Sequence, residues 1–176
     1  NDEKQIQREM KLNDGDMSFI SSDDSDFKWI NDFANGDIKV GLDTGDQEFD
    51  KYFRYKKEFL VINGHSNVGK TTVALYMMVN SSIRHGWKWV VYSSENKTAS
   101  VKMKLMEFAV DRKAGDMNYN QRKKAYDWVN NHFTIINNDQ LYSYLDIILF
   151  LEKIVRSQDV DGVFIDPYNS LRISLS

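Results

Sequence analysis

The chain has 176 residues, 41% of them apolar and 28% charged, a balance that suits one domain of ordinary size with a sizeable core. A net charge of −3 argues against an arm that coats nucleic acid, though not against a protein that holds a strand with a few loops. The absence of cysteine excludes disulfides and thiolate metal sites, His65, His85 and His132 are too scattered for a zinc cluster, and no apolar run approaches the ~20 residues that cross a bilayer.

The chain starts on a polar stretch (Asn1-Asp2-Glu3-Lys4-Gln5) in which no signal-peptide pattern is visible, and the sequence stops after Leu171-Arg172-Ile173-Ser174-Leu175-Ser176. The expectation is a piece of a longer polypeptide. Residues 1 to about 25 are polar and acidic and read as a linker. Phe27, Trp29, Ile30 and Phe33 recur at helical spacing, and Asn35-Gly36 stops that helix. A turn-rich stretch, Gly41-Leu42-Asp43-Thr44-Gly45-Asp46, precedes Phe49, Tyr52 and Phe53.

From residue 59 the pattern alternates between strand and helix. Strands are predicted at 59–63, 88–93, 133–136 and 162–166, and helices at about 70–85, 97–113, 119–131 and 143–157. Apolar strands separated by amphipathic helices mean an α/β fold, a mostly parallel sheet flanked by helices. The single proline, Pro167, sits just beyond a predicted strand end.

One octapeptide carries most of the chemistry. Gly64-His65-Ser66-Asn67-Val68-Gly69-Lys70-Thr71 fits G-x-x-x-x-G-K-[ST] without a mismatch, between the apolar run Phe59-Leu60-Val61-Ile62 and the helical stretch that opens at Thr72. In that context the loop N–H groups converge on phosphate oxygens, and the helix N-terminus adds partial positive charge. Lys70 would reach the β- and γ-phosphates, and the Thr71 hydroxyl would ligate Mg²⁺. A chance match in a chain of this length arises about one time in a hundred at average residue usage. The plainer reading, a tight turn that merely uses glycine, is disfavoured by those flanks. The nucleotide-binding candidates are therefore Gly64, His65, Ser66, Asn67, Val68, Gly69, Lys70, Thr71 and Thr72, with ATP or another nucleoside triphosphate as ligand. His65 holds a variable position in the motif, so its side chain is expected to point away from phosphate.

Phosphoryl transfer also needs a carboxylate for Mg²⁺ and a group that activates water. Val163-Phe164-Ile165-Asp166 is an apolar strand ending in Asp, the Walker B form, which puts Asp166 at the carboxyl edge of the sheet where ligands of open α/β sheets bind. Alone it reads equally as an Asp opening a loop before Pro167; the upstream loop favours metal binding. Tyr92-Ser93-Ser94-Glu95 ends another strand. Glu95 would polarise the attacking water if its strand neighbours the 59–63 strand, and is otherwise a solvated carboxylate at a helix start. Lys102, Lys104, Arg112, Lys113, Arg122, Lys123 and Lys124 read as solvated helix faces rather than a nucleic-acid track, and Trp87, Trp89, Trp128 and Phe133 as packing residues.

Taken together, Phe59 to Thr71, Gly86 to Glu95 and Ile165-Asp166-Pro167-Tyr168-Asn169-Ser170-Leu171 resemble the RecA-like helicase domain of DnaB-type replicative helicases. The nearest branch is the phage and mitochondrial Twinkle-like one, whose Walker B strand typically runs on as Asp-Pro-Trp-Asn; here it is Asp166-Pro167-Tyr168-Asn169. Gly41, Thr44, Gly45, Phe49 and Asp50 resemble the segment that leads into this domain, and the likeness covers roughly residues 40–175. It implies an ATP-dependent DNA helicase motor on a RecA-like core, with Lys70 and Glu95 catalytic and Thr71 and Asp166 at Mg²⁺. It further implies a homo-oligomeric ring, usually hexameric, with ATP sites between subunits, single-stranded DNA as a partner, a primase as a further partner and no membrane. In that picture residues 1–40 are a linker with a docking helix, and 41–176 the N-terminal part of the ATPase domain.

The family's sensor residue, DNA-gripping loops and arginine finger follow the Walker B strand. Residues 1–176 alone are therefore expected to bind Mg²⁺-nucleotide weakly and to unwind little. The resemblance implies the cytoplasm, of a bacterial host for a phage protein; a mitochondrial location would need a targeting segment, and none is visible. The alternatives are a recombinase or clock-type RecA-like ATPase, or a non-motor module in which nucleotide switches assembly.

Overall fold

A computed structural model describes residues 24–38, 40–137 and 142–166; most of the expected linker and the Pro167-Tyr168-Asn169 segment lie outside them. The chain divides into two compact units, Asn1–Val40 and Gly41–Ser176.

The first unit holds helix α1 (Asp24–Ala34). It starts a few residues before the aromatic pattern, where acidic residues such as Asp26 suit a helix N-terminus. Trp29 and Phe33, four apart, stack with ring centroids 5.4 Å apart. Phe27, Trp29, Ile30 and Phe33 are all exposed. Gly36 at φ +79° supplies the left-handed residue that ends the helix.

The second unit opens with a strap, residues 41–57, closed by reciprocal backbone bonds between Leu42 and Tyr55. The strap is tied to helix α2 (Lys70–His85): the Tyr55 hydroxyl donates to the Met77 carbonyl at 2.9 Å, Asn80 Nδ2 donates to the Thr44 carbonyl at 2.8 Å, and Arg84 pairs with Asp43. Burial pushes the Tyr55 phenol up to about 12. The end of α2 is set by Gly86 at φ +71°, whose N–H closes on the Ser82 carbonyl.

Three parallel strands form the sheet, β1 (Trp89–Ser93), β2 (Phe133–Ile135) and β3 (Gly162–Asp166), in the order β2-β1-β3. The ladder on one side of β1 runs from Trp89↔Phe133 to Val91↔Ile135, and on the other from Trp89↔Gly162 to Ser93↔Asp166. A central parallel strand is covered on both faces, and Val90, Val91, Tyr92 and Ser93 are all buried. Side chains alternate accordingly. Val91 joins Leu75, Met78 and Val79 of α2, Leu105 of α3 (Thr98–Val110) and Val129 of α4 (Tyr119–His132). Val90 and Tyr92 face the other way, onto Ile147, Leu151 and Ile154 of α5 (Tyr144–Ser157). The protein is thus an α/β fold with a parallel sheet flanked by helices, consistent with a RecA-like core.

The helices match their sequence patterns closely because their ends are chemically marked. Asn118 with Gln121, and Ser143 with Asp146, form capping boxes at the starts of α4 and α5. Helix α3 stops at Val110 rather than 113, since Asp111 turns left-handed at φ +50° and the Glu107 carboxylate takes the Ala114 N–H. The strand expected at 59–63 does not form. Those residues run without a ladder, Phe59 88% and Val61 67% exposed. A strand is defined by its partner, and no described strand runs beside this segment.

Candidate functional site

The loop 64–69 enters α2 through two left-handed residues, Asn67 at φ +61° and Gly69 at φ +90°. Gly69 is the helix N-cap, and any side chain there would be strained. Helix bonding begins at once, with the Val73 N–H on the Gly69 carbonyl. Gly64, His65, Ser66, Asn67, Val68 and Thr72 are exposed, while Gly69, Lys70 and Thr71 are half-buried. The Lys70 ammonium folds back across the loop and donates to the Gly64 carbonyl at 2.8 Å and the His65 carbonyl at 2.6 Å. Both partners are neutral carbonyls, so the ammonium charge stays available to an anion.

Thr71 lies one residue further into α2. Its hydroxyl donates to Asp166 Oδ2 at 2.7 Å, bridging 95 positions of sequence and tying the helix start to the end of β3. Ser93 is the register partner of Asp166 on β1. One residue on, the Ser94 N–H donates to the Asp166 carbonyl at 3.0 Å. Asp166 therefore takes the Thr71 hydroxyl on its side chain and the β1–α3 turn on its backbone. Glu95, exposed, sits in that turn at the carboxyl edge of the sheet. The condition on which its sequence reading rested is not met, because the neighbours of β1 are β2 and β3 and not residues 59–63. Glu95 reaches the Asp166 edge through the β1–β3 ladder instead.

Sequence reasoning missed Asn96, whose Nδ2 donates to the Ser93 hydroxyl at 3.0 Å. The only signal was an amide side chain three residues after a strand-terminal Ser, a common turn feature. Of the basic residues, Lys102 donates to Asn130 and lies over the Tyr126 ring, Lys123 pairs with Asp127, and Arg122 donates to the Met117 carbonyl. These are contacts within α3, α4 and the segment that joins them. Trp87 and Phe133 are buried, and Trp89 and Trp128 pack against the core beneath α2, α3 and α4.

A parallel α/β sheet, with a glycine-rich loop that enters a helix whose first turn bonds a strand-terminal carboxylate, defines the general class. One specific likeness narrows it. The chain is similar to the Twinkle homolog protein, chloroplastic/mitochondrial, of Arabidopsis thaliana, 28% identical over 145 residues that make up 76% of this chain. The match covers 20% of that protein, so the chain spans about a fifth of the relative's length. It supports a relationship to Twinkle/DnaB-like helicases and nothing finer, and it carries nothing for a phage-type branch. No protein-family model and no solved structure matches the chain.

Proposed function

We propose that this chain binds a Mg²⁺–nucleoside triphosphate at loop 64–72 and forms part of an ATP-dependent DNA helicase motor. The observation that supports the site best is the 2.7 Å bond from Thr71 to Asp166, which joins the two residues that the motif assigns to Mg²⁺. The residues fit such a group: the left-handed Gly69 turns the loop backbone into the helix N-terminus, and hydroxyl and carboxylate oxygens suit a hard cation. Magnesium, when bound, neutralises charge on the phosphate oxygens. Thr71 and Asp166 would hold the ion, the loop N–H groups and Lys70 the phosphates, and Glu95 would orient and deprotonate the attacking water. The likeness to a Twinkle homologue supports the motor reading, in which the protein works as a homo-oligomeric, hexameric ring on single-stranded DNA, with a primase as a further partner.

Two variants of the intact protein test this. Lys70→Ala should abolish triphosphate binding, because the phosphates lose their main side-chain cation. Glu95→Gln should still bind nucleotide but hydrolyse it about 10²-fold more slowly. Near-normal ATPase in Lys70→Ala would sink the loop assignment. Parent-rate hydrolysis in Glu95→Gln would reduce that residue to a helix-start carboxylate and favour a nucleotide-binding module.

A further inference from the structure

The turn between β1 and α3 has to hold a carboxylate in place without the usual helix-start device. Lys97, the N-cap of α3, makes no side-chain capping bond. The residues on either side of Glu95 are anchored instead. Before it, the Ser94 N–H donates to the Asp166 carbonyl at 3.0 Å. After it, Asn96 Nδ2 donates to the Ser93 hydroxyl at 3.0 Å, and Ser93 is itself fixed, 4% exposed and in register with Asp166. Glu95 thus stands between two hydrogen-bonded clamps, both fastened to the ends of the β1–β3 ladder. The same Asp166 that receives one clamp on its carbonyl receives the Thr71 hydroxyl on its carboxylate.

From this we infer that Asn96 is a positioning residue for Glu95. Its side-chain amide, bound to the Ser93 hydroxyl, sets the height and direction of Glu95 above the carboxyl edge of the sheet. The inference rests on the nucleotide-hydrolysis reading of Glu95, and it assigns Asn96 no contact with the reacting atoms. An acceptor on a buried strand residue is a firm reference point, because Ser93 cannot move without disturbing the ladder to β3. A glutamate on an unclamped turn would sample several placements, and misplacement of a reacting group by about 1 Å costs up to ~10²-fold in rate.

The test is a set of variants in the intact protein, each measured for Mg²⁺-nucleotide affinity, kcat and amide hydrogen exchange. Asn96→Ala and Ser93→Ala remove the same bond from opposite sides, so a folding failure in one leaves the other to report. Each should lower kcat about tenfold with nucleotide affinity within twofold of the parent, and the Ser94 amide should exchange faster while Val91 stays protected. The loss in the double variant should be less than the product of the two single losses, since both delete the Asn96–Ser93 bond. Ser93→Thr, which keeps the acceptor, should retain most of the parent kcat. A kcat within twofold of the parent in Asn96→Ala, beside a Glu95→Gln slowed about 10²-fold, would overturn the positioning role alone. A fully active Glu95→Gln would overturn the hydrolysis reading beneath it. Equal losses in affinity and kcat would make Asn96 a general structural residue and also overturn the inference.

Discussion

Gly162→Ala is the perturbation whose cost can be worked most directly from the packing. Gly162 opens β3 opposite Trp89, and a Cβ there would lie 2.5 Å from Trp89 Cε3 and 2.7 Å from Cη2, nearer still to Cζ3. The ring has nowhere easy to go. Its Nε1 donates to the Ser81 hydroxyl at 3.0 Å, Ser81 is buried in α2, and the Trp87 ring centroid lies 5.6 Å from that of Trp89. Relief by rotating the indole sacrifices the Ser81 bond, about 0.5–1.5 kcal/mol, and overpacking of this kind costs about 1–3 kcal/mol. The sum is about 1.5–4.5 kcal/mol, which for a body of this size lowers Tm by roughly 5–16 °C. Thermal melting followed by far-ultraviolet circular dichroism reads that shift. In a Trp89→Leu background the same substitution should cost under about 1 kcal/mol, because the obstructing ring is gone. The wedge sits at the far end of the β1–β3 ladder from Asp166, roughly 13 Å along the strand at about 3.3 Å per residue. Nucleotide affinity measured well below the melt should accordingly change less than threefold. A Tm within about 2 °C of the parent would refute the reasoning, since the indole would then be free to yield.

Thr71→Val should weaken Mg²⁺-dependent nucleotide binding about tenfold or more, while Thr71→Ser, which keeps the hydroxyl donor to Asp166, stays within about threefold of the parent. A Mg²⁺ titration with a fluorescent nucleotide checks this, and an unchanged Mg²⁺ dependence in the valine variant would count against the metal assignment. The strap should respond to acid. The Thr44 hydroxyl and N–H, each 2.6 Å from Asp50 Oδ1, hold the Asp50 carboxyl below its ordinary 3.8, and the Arg84 guanidinium does the same for Asp43. A depressed carboxylate contributes stability that is present above the unfolded value and lost as pH falls through the folded one. Exchange at the Thr44 amide should therefore accelerate as pH is lowered below about 4 relative to β1 amides, and in Asp50→Asn that extra acid sensitivity should be largely absent. Identical acid profiles in parent and variant would show that the strap is held by other contacts.

What could be read from the sequence was most of what has a local cause. The four helices of the larger unit follow from apolar periodicity and from caps such as Asn118, Ser143 and Gly86, each acting within one turn of its own chain. The 64–71 loop was equally legible, because its glycines and Lys70 act through backbone geometry a few residues away. Pairing decided the rest. Residues 59–63 have the composition of a buried strand and yet no ladder, since a strand needs a partner that composition cannot name. Glu95 stands at the Asp166 edge because β1 pairs with β3, a choice made by the register from Trp89↔Gly162 to Ser93↔Asp166. The Thr71–Asp166 bond across 95 residues exists only after that register has formed, so no short-range pattern in the chain encodes it; the Asn96–Ser93 bond spans three residues, and the register decides only that it lies beside the Asp166 edge.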